Sequence, residues 1–305
     1  MRVLVTGASG LLGINFCLQV SQKHDVVGIV HSHSLSNVPF QVLRIDLAYE
    51  ELARDLVSMV KPNLVVNCAA MAYLDQCERQ PQVAKIINAD LPAWLAEECA
   101  HNKTQFLHIS TDAVFDGRKK SGYTEKDSPN PLSVYARTKL EGERAVRKAN
   151  PNALIVRVNF YGFSISGERG LAEFFLYNLL AGKQVNGFTD VHFCPLYVHD
   201  LSPILMEMVS KGLKGLYHVV SPEELSKYDF GVKIAHIFGL DRSLITPVSV
   251  KESDLIAPRA LNLILNINKL QSDLDKALPK QEQGLSYFYD HYQKGYATNL
   301  KKYIG

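Results

Sequence analysis

Cysteine pairs, long apolar runs and an excess of either charge are all missing from this chain of 305 residues. Thirty-three Lys and Arg against 31 Asp and Glu leave a net charge of +2, so no basic field exists to recruit nucleic acid or an anionic membrane. Five cysteines (Cys17, Cys68, Cys77, Cys99, Cys194) are odd in number and lack a C-x-x-C pair. That argues against a disulfide or zinc framework and for reduced thiols buried as small apolar side chains. No stretch reaches the ~18 apolar residues of a bilayer span. Met1-Arg2 runs straight into Val3-Leu4-Val5 without the layout of a signal peptide, so a cytoplasmic location is expected. Also missing are H-E-x-x-H, G-x-S-x-G and G-K-[ST], which removes support for metalloprotease, α/β-hydrolase and P-loop chemistry; no metal is expected.

What is present is enough apolar residue, 47%, to bury a core without staples. The length is about twice the ~150-residue prior for one domain, which predicts one large or two closely packed domains. Short β-branched runs alternate with longer helical patterns over the first 160 residues, the signature of a parallel sheet wrapped by helices. Strands are predicted at 2–6, 25–30, 42–45, 63–67, 105–109 and 153–158, and helices at 11–23, 50–60, 81–100 and 132–148. Leu64-Val65-Val66 and Leu154-Ile155-Val156 are continuously apolar, as strands covered on both faces are. Beyond residue 160 the pattern loosens: a loop at 160–169, helices at 171–181 and 227–238, a strand at 215–220, and a Tyr-rich end expected to pack as a helix on a smaller lobe. The fold class is therefore α/β, a doubly wound parallel sheet with a smaller C-terminal lobe. Residues 1–160 form the nucleotide domain, segments near 188–220 return to it, and 161–187 with 221–305 form the substrate lobe.

Thr6-Gly7-Ala8-Ser9-Gly10-Leu11-Leu12-Gly13 follows the first strand and opens the first helix. Glycines there allow a tight turn and close backbone approach, and the helix N-terminus offers free N–H groups to a pyrophosphate. The end of the second strand, where a carboxylate would bond the ribose 2′-hydroxyl of NAD, carries His31-Ser32-His33 instead. Without that carboxylate a 2′-phosphate is not repelled, so NADP(H) is favoured over NAD(H), although no Arg or Lys stands at the same place in the sequence.

Ser110-Thr111-Asp112 ends the fifth predicted strand, and Tyr135-Ala136-Arg137-Thr138-Lys139 lies on a helix. Four-residue spacing puts Tyr135 and Lys139 on one face. A free tyrosine titrates near ~10, so proton transfer near neutrality benefits from a neighbouring cation. The Thr111 hydroxyl, delivered from a strand end, can orient a carbonyl and bond its oxygen as charge develops.

These motifs, with Asn67-Cys68-Ala69-Ala70, resemble the extended short-chain dehydrogenase/reductase superfamily. Leu74 to Pro81, Ile87-Asn88-Ala89, Pro131 to Tyr135 and Ala257 to Asn262 narrow the resemblance to the dTDP-4-dehydrorhamnose reductase branch, which also contains the regulatory β subunit of methionine adenosyltransferase. The resemblance implies a Rossmann domain with Gly10 to Gly13 on the pyrophosphate, Asp46-Leu47 on the adenine side and Ala69, Ala70 and Met71 near the cofactor ribose. Tyr135 would protonate the sugar oxygen, Lys139 would bond the nicotinamide ribose and depress the tyrosine pKa, and Thr111 would polarise the ketone. Asp112 and Asn159 fall on the substrate side, and Arg259 would meet the nucleotide diphosphate of a nucleotide-sugar substrate. Dimers are common in the superfamily, and a homodimer is compatible with this chain.

Three positions depart from the reductase pattern: Ala113 where an aromatic residue is usual, Ala260 where Pro is usual, and a 157–162 segment without Trp. The reading that follows is an NADPH-dependent reductase of a nucleotide-linked 4-keto sugar. Its rivals are an epimerase or dehydratase that retains its cofactor, and a non-catalytic NADP-binding regulatory subunit.

Overall fold

The computed structural model describes all 305 residues. Six strands occupy the first half of the chain: β1 (Arg2–Thr6), β2 (Asp25–Val30), β3 (Gln41–Arg44), β4 (Leu64–Asn67), β5 (Gln105–Thr111) and β6 (Leu154–Val158). Between them run α1 (Leu11–Val20), α2 (Glu50–Val60), α3 (Leu74–Arg79), α4 (Pro81–Lys85), α5 (Leu91–His101) and α6 (Val134–Ala149). The second half holds β7 (Phe160–Tyr161), β8 (Val185–Phe188), β9 (His192–Phe193), β10 (Leu196–Tyr197), β11 (Gly215–Val219), β12 (Leu225–Ser226), β13 (Ile245–Val248) and β14 (Asn262–Leu263). Its helices are α7 (Leu171–Leu180), α8 (Val198–Ser210), α9 (Lys227–Phe238), α10 (Asn268–Leu274), α11 (Gln281–Gln293) and α12 (Tyr296–Lys301).

Seven strands form one parallel sheet in the order β11-β6-β5-β4-β1-β2-β3. Alternate residues point to opposite faces, so Val3, Val5, Leu64 and Val66 enter one buried cluster while Leu4, Val27, Val65 and Ile155 enter the other. Because every strand is parallel, all seven C-terminal ends share one edge. Residues that sequence spacing scatters over 150 positions are thereby delivered to one cleft.

Two expectations change. The predicted helix over 81–100 is interrupted by a π-turn at Ile86–Asp90; Pro92, just beyond it, has no N–H to continue the ladder. The bounds expected for the substrate lobe, 161–187 and 221–305, are not clean. Within 188–220, α8 packs on α1 and β11 joins the main sheet, whereas β9 pairs with β12 and β14. The last residues also leave the lobe: the Tyr296 hydroxyl donates to Asn15 of α1 at 2.8 Å, and Ile304 bridges Leu35.

Helix α6 is fixed to the sheet by a buried ion pair. Arg157 of β6 donates to both Glu143 oxygens, at 2.9 and 2.7 Å, and Ser110 of β5 donates to the same carboxylate at 2.6 Å. The two charged side chains are 3% and 4% exposed, so neither finds water if its partner goes. Arg157→Ala is expected to cost about 3–5 kcal/mol in urea unfolding, the penalty for stranding a buried charge. A loss below ~1 kcal/mol, the range of surface pairs, would contradict this placement.

Candidate active site

The turn after β1 is shaped by close backbone approach. Gly7 has φ +66°, and a Cβ there would sit 2.8 Å from the backbone of Ala69. At Gly13 a Cβ would lie 2.1 Å from the Gly7 carbonyl oxygen, so only glycine lets α1 start this close to the turn. Gly10 caps the helix without a side-chain bond, and the N–H groups of Leu11, Leu12 and Gly13 have no backbone partner. These free donors at the positive end of a helix are suited to a pyrophosphate. Ser9, also buried, lies in the same turn.

The 69–71 segment is anchored from two sides. Ala69 N–H donates to Thr6 at 3.2 Å, and Thr6 donates to Asn67 at 2.6 Å. Asn88, inside the π-turn, accepts from Met71 N–H at 2.9 Å and donates to the Met71 carbonyl at 3.1 Å and to Thr138 at 3.1 Å. The helical irregularity thus clips the backbone beside the glycine turn to α6, leaving Ala70 exposed on the cleft.

At the end of β5 the polar groups converge. Ser133 caps α6 by accepting from Ala136 N–H at 3.2 Å, which starts the helix so that Tyr135 and Lys139 face β5. The Tyr135 hydroxyl is a neighbour of Thr111 without a hydrogen bond formed between them. Thr111 in turn donates to Asp112 at 3.1 Å, and Asn159 donates to the other Asp112 oxygen at 2.6 Å. Burial pushes Asp112 up to about 6 despite these bonds, and burial with the nearby Asp112 pushes Tyr135 up to about 12. Lys139, 2% exposed, donates to the Ile109 carbonyl at 2.6 Å, and burial lowers it to about 8.

The expected depression of Tyr135 by Lys139 is therefore absent from this geometry: the ammonium is turned to a carbonyl, and desolvation of the phenol dominates. Thr111 likewise spends its proton on Asp112 and must turn from it to polarise a ketone.

On the opposite wall Arg259 donates to the Ala257 carbonyl at 2.8 Å and to Asp75 of α3 at 3.3 Å. Asp75 is held below the usual carboxylate range by Ala257 N–H and then by Arg259. Lys227, a residue absent from the expected site set, interacts through its charge with both Arg259 and Asp112. Burial first, then Arg259, lowers it to about 8, and its ammonium lies 5.8 Å over the Phe188 ring. A lysine in the first turn of α9 opposes the helix dipole, and that local conflict was the available signal.

The rim beyond β2 is open. His31 is exposed and 3.5 Å from Asp46, Ser32 lies 3.0 Å from the His33 ring, and Leu47 is buried under the sheet, offering only its backbone to an adenine.

This fold and this edge define a Rossmann-like α/β protein whose cleft brings Thr111, Tyr135 and Lys139 together. The chain belongs to the family described as the RmlD substrate binding domain, which matches residues 1–294. Agl14 of Haloferax volcanii, described as a probable low-salt glycan biosynthesis reductase, is 35% identical across 94% of this chain and 96% of its own length. Methionine adenosyltransferase 2 subunit beta of Danio rerio is 31% identical across 88% of this chain and 84% of its own. The solved structure of dTDP-4-dehydrorhamnose reductase from Bacillus anthracis in complex with NADP superposes with a TM-score of 0.86 at 25% identity, covering 95% of this chain and 99% of that one.

The obstruction that a Cβ at Gly13 would meet is backbone, which cannot swing aside. Gly13→Ala is expected to lose about 1–3 kcal/mol by overpacking, read as a lower Tm. An unchanged melting curve would show that the turn is looser than the geometry requires.

Proposed function

We propose that the protein is an NADPH-dependent reductase of a nucleotide-linked 4-keto sugar. The observation that carries this reading is the convergence of Thr111, Tyr135 and buried Lys139 at the sheet edge, with the free N–H groups of the glycine turn at the same edge. The relatives described as reductases, and the NADP complex of the Bacillus anthracis enzyme, support it.

The residues present suit a dinucleotide: a cradle any Cβ would fill, unpartnered amides, and a β2 tip whose own residues, His31-Ser32-His33, include no carboxylate. Leu11 to Gly13 would hold the pyrophosphate, Ala69 to Met71 the adjoining ribose, and Lys139 the nicotinamide ribose. Bound there, NADPH supplies the hydride that reduces the ketone carbon. Tyr135, kept protonated at neutral pH by its raised pKa, gives its phenolic proton to the ketone oxygen. The Lys139 ammonium, once turned from the Ile109 carbonyl, would favour the phenolate left behind. Thr111, released from Asp112, donates to the same oxygen and orients the carbonyl. Arg259 and Lys227 supply two cations for the substrate diphosphate, a role in which Arg259 is oriented by Asp75. Ala113 and Ala260 alter the sugar side of the cleft, leaving the Thr-Tyr-Lys set intact.

A second reading, an NADP-binding subunit without catalysis, is favoured by the likeness to the methionine adenosyltransferase β subunit. Such a subunit has no physical need for Thr111, Tyr135 and Lys139 together. Offered dTDP-, GDP-, UDP- and CDP-linked 4-keto sugars, the purified protein should consume NADPH stoichiometrically, which an epimerase or dehydratase would not. Tyr135→Phe should lower kcat by ~10²–10⁴-fold, the usual contribution of an acid–base group. Silence toward every sugar, or an undiminished Tyr135→Phe enzyme, contradicts the proposal. Because Lys139 is charged only below about 8, kcat should fall as pH rises through that value. A profile flat to pH 10 would remove its charge from the mechanism.

A further inference from the structure

The rim beside His31 holds positive charge that the sequence order conceals. Arg169 comes from the loop after β7, 136 residues downstream of His33, and its guanidinium lies 3.4 and 3.5 Å from the two nitrogens of that ring. Arg44, at the end of β3, reaches back to the His31 carbonyl at 3.0 Å through Nε. Neither guanidinium has a carboxylate partner, and the near-equal distances from Arg169 to both ring nitrogens show that no single hydrogen bond claims it.

The loop that carries Arg169 is built to stay in place. Buried Glu173 accepts from Ser164 N–H at 2.7 Å, the Ser164 hydroxyl at 2.8 Å and Arg169 N–H at 3.0 Å. Gly170 lies so near Leu11 that an added Cβ would be 3.2 Å from its side chain. The loop therefore lies over the start of the helix whose free amides would face a pyrophosphate, and its arginine reaches the β2 tip.

We propose that Arg169, with Arg44 and the His31-Ser32-His33 tip, forms the subsite for the 2′-phosphate of NADPH. The inference rests on the NADPH reading above and adds the residues that would create the preference. Guanidinium groups suit a phosphate because their planar donors bond two oxygens at once. The Ser32 hydroxyl adds a neutral donor at the tip. Asp46, a carboxylate near the tip, is occupied by Ala48 N–H at 3.0 Å on one oxygen and faces His31 with the other.

The test is binding, independent of turnover. Titrations with NADPH and NADH, and calorimetry with adenosine 2′,5′-bisphosphate and 5′-AMP, should be run on the wild type, Arg169→Ala, Arg169→Lys and Arg44→Ala. Alanine at 169 keeps the backbone donor to Glu173, so the loop is retained; circular dichroism and Tm check this. Arg169→Ala should bind NADPH and the bisphosphate roughly 10- to 100-fold more weakly, with NADH and 5′-AMP changed by less than about twofold. Lysine should restore part of the loss, and Arg44→Ala should reproduce part of it. A wild type that holds NADPH no tighter than NADH overturns both the cofactor preference and this subsite. A wild-type preference that survives Arg169→Ala, or an equal loss for both cofactors, overturns the subsite alone.

Discussion

Everything at the cleft depends on how α6 is registered against the sheet, and that register is set by one buried contact, Glu143 with Arg157. Glu143 lies one turn beyond Lys139 and two beyond Tyr135 on the same helix face. Its carboxylate holds Ser110, the neighbour of Thr111, and Arg157, two residues before Asn159. A slip of one residue at that pair would separate the Tyr135 hydroxyl from Thr111 and Lys139 from the Ile109 carbonyl. A buried pair of this kind adds little net stability over a well-packed apolar one, so its value lies in position. The negative charge of Glu143 also supports the ammonium of Lys139 where burial alone would strip its proton more readily.

Much of this could be read before any coordinates. Continuous apolar strands such as Leu64 to Val66 announce a sheet covered on both faces, and every one of the first six strands forms within two residues of where the pattern places it. The glycine turn and the Tyr135–Lys139 spacing are local features, set within one element each. What escaped depends on contacts distant in sequence. The π-turn at Ile86–Asp90 exists because Asn88 is drawn to Met71 and Thr138, and helix α8 survives a proline, Pro203, through packing on α1. Two-residue strands such as β9 and β14 have no period to detect. Asp75 was seen as part of a motif, but its hold on Arg259 needs the fold to bring residues 75 and 259 together.

The same distinction governs charge. A net +2 cannot steer a polyanionic cofactor or a nucleotide diphosphate from afar, so binding falls to placed groups. In the proposed reading the helix dipole and free amides take the pyrophosphate and Arg259 with Lys227 the substrate diphosphate, while Arg169 with Arg44 lies at the β2 tip. Sequence order shows the β2 tip as uncharged; the fold brings two arginines to it. The cleft is assembled from single cations, each held by a specific partner or by burial, on a surface whose overall field is close to neutral.

The central claim is that hydride passes from a cofactor in this cleft to the ketone carbon of a sugar while Tyr135 supplies the proton. The most direct measurement is isotopic: NADPH deuterated at the nicotinamide C4 position that donates, incubated with a dTDP-linked 4-keto sugar, and the product analysed by NMR. The account predicts one deuterium at sugar C4 for each NADPH consumed. Product lacking deuterium at that carbon, or deuterium retained in the cofactor, would contradict it.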